Sequence, residues 1–295
     1  MPNSCPLCSS TSVVKKDLYS QMLNLPGNCE PEVFICPSCG ARYLWPYISG
    51  EQLDALYGKS YFTGLQESED GLEIPSSNSD YESEFAEARL GKFDATVLML
   101  LAQHPNAKNI LDIGAATGDF LALAKKRGLL VSGIELSSYA SAKAKAKYGF
   151  VFHETGITEY QGEEKYDLIH MNHVFEHFEF PHQALNRIAA LLNPNGLVYV
   201  EVPFQFNLLE VIKYRLTGRR KDFDVFSLHH PIFYTPATLK KIFEDHGFSC
   251  IKSNVFEWSR YPTSGITGQL KRLMWFAASL VGQGIVIEAV FEKKR

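Results

Sequence analysis

The stretch that decides the fold of this chain is ILDIGAATGDF, residues 110–120. Residues 109–113 are predicted to form a short apolar strand, which leads into a turn bounded by Gly114 and Gly118. The turn opens a helix whose apolar residues begin at Phe120. Because glycine has no Cβ, such a turn can bend sharply and bring a ligand close to bare backbone N–H groups. A strand, a glycine-bounded turn and a helix N-terminus in this order predict the nucleotide-binding start of a doubly wound α/β sheet.

The composition of the turn indicates which nucleotide it would bind. A dinucleotide-binding turn follows the pattern G-x-G-x-x-G, whereas here Ala116 stands in place of the second glycine. Asp112 precedes the turn, where its carboxylate would repel a pyrophosphate and attract a cationic ligand. The next predicted strand ends at Glu135, where a carboxylate can accept hydrogen bonds from the two hydroxyls of a ribose. Together these features predict a binding site for S-adenosylmethionine (SAM).

From about residue 106 to residue 203 the chain resembles the class I SAM-dependent methyltransferases. The resemblance rests on four motifs in order: LDIGAATGDF at 111–120, GIELS at 133–137, YDLIHMNHVFEH at 166–177 and LNPNGLVYV at 192–200. It implies a doubly wound, Rossmann-like α/β sheet of seven strands, the last of them antiparallel. The alternation of apolar segments predicts strands near 109–113, 130–134, 150–153, 166–171, 197–202, 249–255 and 285–292. Helices are predicted near 81–103, 117–127, 137–147, 181–192 and 236–246.

The resemblance also implies which residues contact the cofactor. The backbone of the glycine-bounded turn would cradle the methionine part of SAM, Glu135 would hold the ribose, and Leu136 would pack on the adenine. The full set of expected cofactor-binding residues is Asp112, Gly114, Ala115, Gly118, Asp119, Glu135, Leu136, Gly156, Ile157 and Asn172.

Histidines are the candidate catalytic residues. A hydroxyl or activated carbon that receives a methyl group must lose a proton, so a general base is expected. His173 directly follows the predicted fourth strand, and the other candidates are His177, His229 and His230. The spacing of His173, Glu176 and His177 also matches the inverted zinc-protease motif H-x-x-E-H. The sequence indicates no third ligand there, so a base or a hydrogen-bonding residue is the preferred interpretation.

Four of the six cysteines form two C-x-x-C pairs, Cys5 with Cys8 and Cys36 with Cys39. Two such pairs predict a closed, tetrahedral and therefore structural zinc site in a small ribbon lobe. Cys29 and Cys250 lie outside this pattern and are interpreted as thiols without a role. The expected domains are a zinc-ribbon lobe at 1–50, a linker with a helical lid at 51–104, and a methyltransferase domain at 105–295 with insertions at 204–230 and 259–283.

Composition limits the partners and the compartment. A net charge of −4 and a pI near 6.2 provide no positive field for nucleic acid. The start of the sequence shows no secretory signal, and the apolar run at 273–281 is too short to cross a bilayer, so a cytoplasmic location is expected. Basic residues beside that run leave a contact of 269–281 with a membrane surface as the less favoured alternative. The sequence says nothing about the oligomeric state.

The layout is similar to that of bacterial small-molecule methyltransferases with an N-terminal zinc lobe. Sugar C-methyltransferases share this layout, but they carry a further C-terminal domain that this sequence does not show. The preferred interpretation is O-methylation of a sugar, glycan or secondary metabolite. The alternatives are an RNA base methyltransferase, which the acidic balance disfavours, and a non-catalytic SAM-binding partner in a biosynthetic assembly.

Overall fold

The structure is a computed structural model that describes residues 3–12, 15–16, 23–24, 32–47, 65–67, 73–75, 86–219, 221–222, 230–256, 269, 273 and 276–294. In the short strands at 15–16, 23–24, 65–67, 73–75 and 221–222, and at residue 86, only the backbone is described. The chain divides into two compact units. The first comprises Met1–Ile48, Asn172–Asn186 and Tyr199–Lys294, and the second comprises Ser49–Met171, Arg187–Val198 and Arg295.

The first six described elements are short strands, and from residue 86 onward strands and helices mostly alternate. The strands are β1 (Lys15–Lys16), β2 (Leu23–Asn24), β3 (Glu32–Ile35), β4 (Arg42–Trp45), β5 (Leu65–Glu67), β6 (Glu73–Pro75), β7 (Asn109–Ile113), β8 (Leu130–Ile134), β9 (Tyr166–Asn172), β10 (Leu192–Pro203), β11 (Lys221–Asp222), β12 (Ile232–Phe233), β13 (Phe248–Phe256) and β14 (Val286–Lys293). The helices are α1 (Ala86–Gln103), α2 (Asp119–Lys126), α3 (Ser138–Tyr148), α4 (Pro181–Leu191), α5 (Leu208–Thr217) and α6 (Pro236–Glu244), with a 3₁₀ turn at Phe175–His177.

The central sheet has the order β13-β14-β10-β9-β7-β8, and β9 and β10 contribute residues to both units. In the second unit β7 pairs in parallel with β8 and with β9. In the first unit β13 pairs antiparallel with β14, which confirms the antiparallel end of the predicted sheet. Apolar residues of β7 and β10 are buried without alternation, as is typical of parallel strands covered on both faces.

The strand predicted at 150–153 is shorter than expected. Only His153 pairs with the sheet, through one parallel bridge to Ile134. Its N–H donates to the carbonyl of Gly133, and its carbonyl accepts from the N–H of Glu135. Phe150 and Phe152 instead pack their rings near Gly118 and Gly133, so the flanking residues do not extend the ladder.

The first unit contains the cysteine-rich segment in a small sheet of order β1-β3-β4-β12. β3 pairs antiparallel with β1 and β4, and β12 pairs antiparallel with β4. Thr235 caps α6, with Pro236 in its first turn, and Thr238 completes a capping box. The expected lobe, linker and insertion boundaries remain predictions, since most of 51–85 and of 257–275 lies outside the described residues.

Within the part of the chain that is described, no helix has the length and apolar content to cross a bilayer. Apolar side chains are nevertheless exposed at the end of the second predicted insertion. They are Leu273, Phe276, Leu280 and Val281.

Candidate functional site

The glycine-bounded turn between β7 and α2 relies on backbone conformations that favour glycine. Gly114 and Gly118 have φ values of 74° and 82°, and Ala116 between them has φ 47°. A Cβ at Gly118 would also lie 3.1 Å from the ring of Phe150 and 3.3 Å from the Cβ of Ala144. Gly118 is therefore required both for the turn and for the close packing of α3.

The N–H groups of this turn are not bare, which differs from the expectation stated above. Gly114 and Ala115 donate to the carbonyl of Ile134, and Gly118 donates to that of Ala115. Ala116 donates to the Glu135 carboxylate at 2.8 Å. These four N–H groups are already used, so they offer little to an anionic phosphate. This agrees with the prediction of a cationic ligand rather than a dinucleotide.

Glu135 joins the turn to the start of α3. One carboxylate oxygen accepts from the N–H of Ala116 and the other from the N–H of Ser137, both at 2.8 Å. Burial raises the pKa of Glu135, while the two N–H donors oppose that rise. The N–H of Leu136 also opposes the rise. A carboxylate has about four lone-pair positions, so capacity for at least one further donor remains for a ribose hydroxyl.

Asp112 is buried at the end of β7 and pairs with His170 of β9. Its Oδ1 lies 2.7 Å from Nδ1 of His170. The His170 ring stacks on Phe120, with 3.5 Å between ring centroids. Burial raises the pKa of Asp112, and His170 opposes the rise. The carboxylate is thus held in one position by His170, which lies outside the motif at 111–120 that contains Asp112.

Asp119, at the start of α2, is surrounded by donors of the protein. Lys147 Nζ lies 2.8 Å and the Tyr148 hydroxyl 2.6 Å from Oδ1. Arg89 lies 3.5 Å and Thr117 3.4 Å from Oδ2. Burial alone would raise the pKa of Asp119, but Lys147 and Tyr148 outweigh it, so the pKa is lowered. This carboxylate is positioned to hold α2 and α3 together.

The other expected cofactor residues lie in different environments. Leu136 is 67% exposed beside Glu135, which leaves an apolar side chain available to a ligand. Gly156 is half-buried and Ile157 is buried in the interior. Asn172 is half-buried and is the last residue of β9.

In the first unit, His173 lies between two buried carboxylates. Its Nδ1 is 3.3 Å from Glu176 and its Nε2 is 3.4 Å from Glu201, while about a third of the side chain is exposed. Burial would lower the pKa of His173, but the two carboxylates raise it to about 9. The residue adopts φ 53°, an uncommon conformation that is enriched at functional sites.

His177 and His230 lie beside the same carboxylate as His173. Their Nε2 atoms are 3.9 and 4.0 Å from Oε1 of Glu176, and their rings contact each other at 4.7 Å. Burial and the charge of Glu176 raise the pKa of Tyr234, which is also buried in this unit. The structure thus brings together three of the four predicted histidines, and His229 lies outside the described residues.

The four predicted cysteine ligands converge in the first unit. Sγ of Cys5 lies 3.6 Å from Sγ of Cys39, and Sγ of Cys8 lies 3.6 Å from that of Cys36. A tetrahedral zinc ion with bonds of about 2.3 Å separates its sulfur ligands by about 3.8 Å. The cluster therefore fits zinc. Cys250 is separate from it, and Cys29 lies outside the described residues.

Sequence reasoning did not single out His170, Glu201 or Gln205. His170 is the register partner of Asp112 across β7 and β9, and this register is not visible in the sequence. Glu201 lies near the carboxyl end of β10, where a polar residue in an apolar strand was a usable signal. Gln205 Oε1 lies 3.3 Å from Nδ1 of His230.

Comparison with known proteins identifies similar chains. A family model described as "Methyltransferase domain" matches residues 85–253. C-methyltransferase NovU of Streptomyces niveus is 28% identical over 148 residues, which cover 48% of this chain and 33% of that protein. A putative methyltransferase of Geobacillus sp. (strain WCH70) is 31% identical over 134 residues, covering 41% of this chain and 54% of that protein. The matched segments thus span about half or less of these relatives.

A solved structure is similar in fold. The crystal structure of a SAM dependent methyltransferase from Archaeoglobus fulgidus has a TM-score of 0.51 and 18% sequence identity. The match covers 73% of this chain and all of that chain (100%). At this identity the similarity shows a shared fold.

Proposed function

The chain belongs to the methyltransferase-domain family, and from this premise we propose that it transfers a methyl group from SAM to an oxygen atom of a small-molecule acceptor, a sugar, glycan or secondary metabolite. The observation that carries the proposal is the Glu135 carboxylate. It is fixed by backbone N–H groups beside the glycine-bounded turn and keeps lone-pair capacity for a ribose hydroxyl.

The second unit provides all but one of the residues proposed to hold SAM, the exception being Asn172 of the first unit. Glu135 would accept from the ribose, and exposed Leu136 would cover one face of the adenine. The turn at Gly114 and Ala115 presents no unused donors among the N–H groups described above, which suits the cationic methionine part. Asp112, Gly118, Asp119, Gly156, Ile157 and Asn172 complete the proposed set. Asp112 and Asp119 would contribute negative charge while remaining bonded to His170 and Lys147.

His173 is the proposed general base. When bound, SAM supplies the methyl group and leaves as S-adenosylhomocysteine, whose sulfur keeps the electron pair of the broken carbon–sulfur bond. His173 would accept the proton of the acceptor hydroxyl as the new carbon–oxygen bond forms. Glu176 and Glu201 orient the ring and stabilise the imidazolium that results. The raised pKa makes the neutral ring a stronger base, although it is the minor form at neutral pH.

Carbon is the alternative acceptor atom. It is favoured by the similarity to C-methyltransferase NovU, which covers about half of this chain. The net charge of −4 disfavours an RNA acceptor. His173 with its two carboxylates is an arrangement that a non-catalytic SAM-binding partner would not need.

We further propose that the cysteine cluster holds one structural zinc ion. Cys5, Cys8, Cys36 and Cys39 fill all four positions of a tetrahedral ion, so none is left for a substrate. The role of such an ion is to stabilise the small sheet that contains β3 and β4.

The test is to measure SAM binding and the acceptor-dependent formation of S-adenosylhomocysteine. Sugar nucleotides, glycans, small phenols and a structured RNA serve as acceptors, and mass spectrometry identifies the methylated atom. A new methyl ether supports the proposal, and a new carbon–carbon bond or a methylated base supports an alternative. SAM binding without turnover on any acceptor would indicate the non-catalytic role. A chain that does not bind SAM would contradict all of these interpretations.

A further inference from the structure

Glu176 is a buried carboxylate that lies among imidazole side chains. Its side chain is 1% exposed, and His173 forms an ion pair with it at 3.3 Å. Among the described residues, neither of its two oxygens accepts a hydrogen bond of good geometry. A buried, ionised carboxylate without hydrogen bonds is strongly unfavourable unless a cation compensates it. The side chains around it therefore determine what it can bind.

Imidazole nitrogens converge on one oxygen of this carboxylate. Oε1 of Glu176 lies 3.9 Å from Nε2 of His177 and 4.0 Å from Nε2 of His230. One ligand atom from each of Glu176, His177 and His230 lies within 4.8 Å of the others. An ion with bonds of about 2.1 Å would hold ligand atoms about 3.4 Å apart, so each of the two carboxylate–imidazole distances would have to contract by about half an ångström.

The tautomer of His230 is set by Nδ1, the ring nitrogen that does not face Glu176. Nδ1 of His230 lies 3.3 Å from the amide oxygen of Gln205, and an amide oxygen can only accept a hydrogen bond. The proton of a neutral His230 is therefore on Nδ1, and the lone pair of Nε2 faces Glu176. Histidines that bind metals characteristically donate their second N–H in this way.

We infer that Glu176, His177 and His230 form a binding site for a divalent transition-metal ion, separate from the cysteine cluster. Two imidazoles and one carboxylate suit Mn²⁺, Fe²⁺, Co²⁺ or Zn²⁺, whereas four thiolates select zinc. The ion would add positive charge beside the buried carboxylate, which His173 already contacts. His173, at 3.3 Å from the same carboxylate, lies next to the site and orients its ligand.

The role of this ion rests on the proposed function. Three protein ligands leave coordination positions for oxygen atoms of the acceptor. A metal-bound hydroxyl loses its proton more readily than a free one, as metal-bound water does. The site would therefore select acceptors that present oxygen to the metal.

The test uses the full-length, zinc-loaded protein without SAM or acceptor and follows Mn²⁺ binding by electron paramagnetic resonance. Thiolates bind Mn²⁺ poorly, so the cysteine cluster does not interfere. We expect one Mn²⁺ per chain, with electron spin-echo modulation from histidine nitrogen. Glu176→Gln and His230→Asn should each weaken binding at least about tenfold, and Gln205→Ala by about tenfold. Glu244→Gln, which removes a carboxylate paired with Lys240, is the matched control and should bind Mn²⁺ normally.

The inference is overturned if the wild-type chain binds no Mn²⁺ or if its signal carries no nitrogen modulation. It is also overturned if Glu176→Gln or His230→Asn binds the ion as well as the wild type does, once a cooperative thermal unfolding transition has shown that the variant is folded. The nitrogen measurement needs no variant, so misfolding of a variant leaves it decisive. If the chain transfers a methyl group but binds no ion, the metal site is wrong and the proposed function stands. If the chain binds the ion but not SAM, the metal site stands and the proposed function is wrong.

Discussion

His170 and Asp112 form a buried pair, with Nδ1 of the imidazole 2.7 Å from Oδ1 of the carboxylate. They are register partners in the parallel pairing of β7 and β9, so the sheet itself places them side by side. Phe120, the first large apolar residue of α2, stacks on the His170 ring. Asp112, which precedes the glycine-bounded turn, is therefore positioned by buried residues of the sheet and of α2.

His170→Phe is expected to keep the stacking on Phe120 and to leave Asp112 buried without its donor. Leaving a buried carboxyl group without its hydrogen-bond donor costs about 1–3 kcal/mol, and urea unfolding measures the lost free energy of unfolding. In the double variant His170→Phe with Asp112→Asn, a neutral amide replaces the carboxylate, so no charge is left buried without a donor. The double variant should therefore be more stable than the sum of the single variants predicts, and strict additivity would contradict the pairing.

Glu135→Gln is expected to weaken SAM binding at least about tenfold, which corresponds to about 1.4 kcal/mol from one lost charge-assisted hydrogen bond. Calorimetric titration with SAM measures the dissociation constant. Glu159→Gln, at an exposed residue that pairs with Thr158, is the matched control. Equal affinity of Glu135→Gln and wild type would rule out the ribose assignment.

Asp119→Asn is expected to lower stability in a pH-dependent way. The pKa of Asp119 is lowered in the folded chain, so its carboxylate stabilises the fold above about pH 4, its unfolded value. This contribution is lost as pH falls through the folded pKa. The variant should lose about 1–3 kcal/mol at pH 7, and the difference from wild type should shrink between about pH 5 and pH 2 in denaturant titrations. A difference that is constant over that range would exclude the charge as its cause.

Zinc content distinguishes the cysteine cluster from the remaining thiols. Elemental analysis should find about one zinc per chain, and Cys39→Ser should lose the ion because a tetrahedral site needs all four ligands. Cys250→Ser changes a cysteine outside the cluster and should retain zinc. Metal-free wild-type protein would show that the cysteines are not a zinc site.

The sequence was sufficient to predict the strand that contains Asp112 and the strand that ends just before Glu135, because both are short apolar runs. It also predicted the cysteine cluster, since C-x-x-C spacing is local. It did not reveal that His170 pairs with Asp112, or that His230 lies beside the H-x-x-E-H motif. Both depend on strand register and on contacts between residues distant along the chain. The sequence predicted free N–H groups in the turn because the carboxylate that accepts from Ala116 belongs to Glu135, which follows the next strand.

The left-handed backbone of His173 limits which residues can replace it. Glycine adopts a φ of 53° freely, and asparagine, aspartate and histidine adopt it more readily than other residues, least of all the β-branched ones. An asparagine or aspartate there would exchange an imidazole for an amide or an acid without rebuilding the loop. Relatives could diversify their proton chemistry at this one position while keeping the same scaffold.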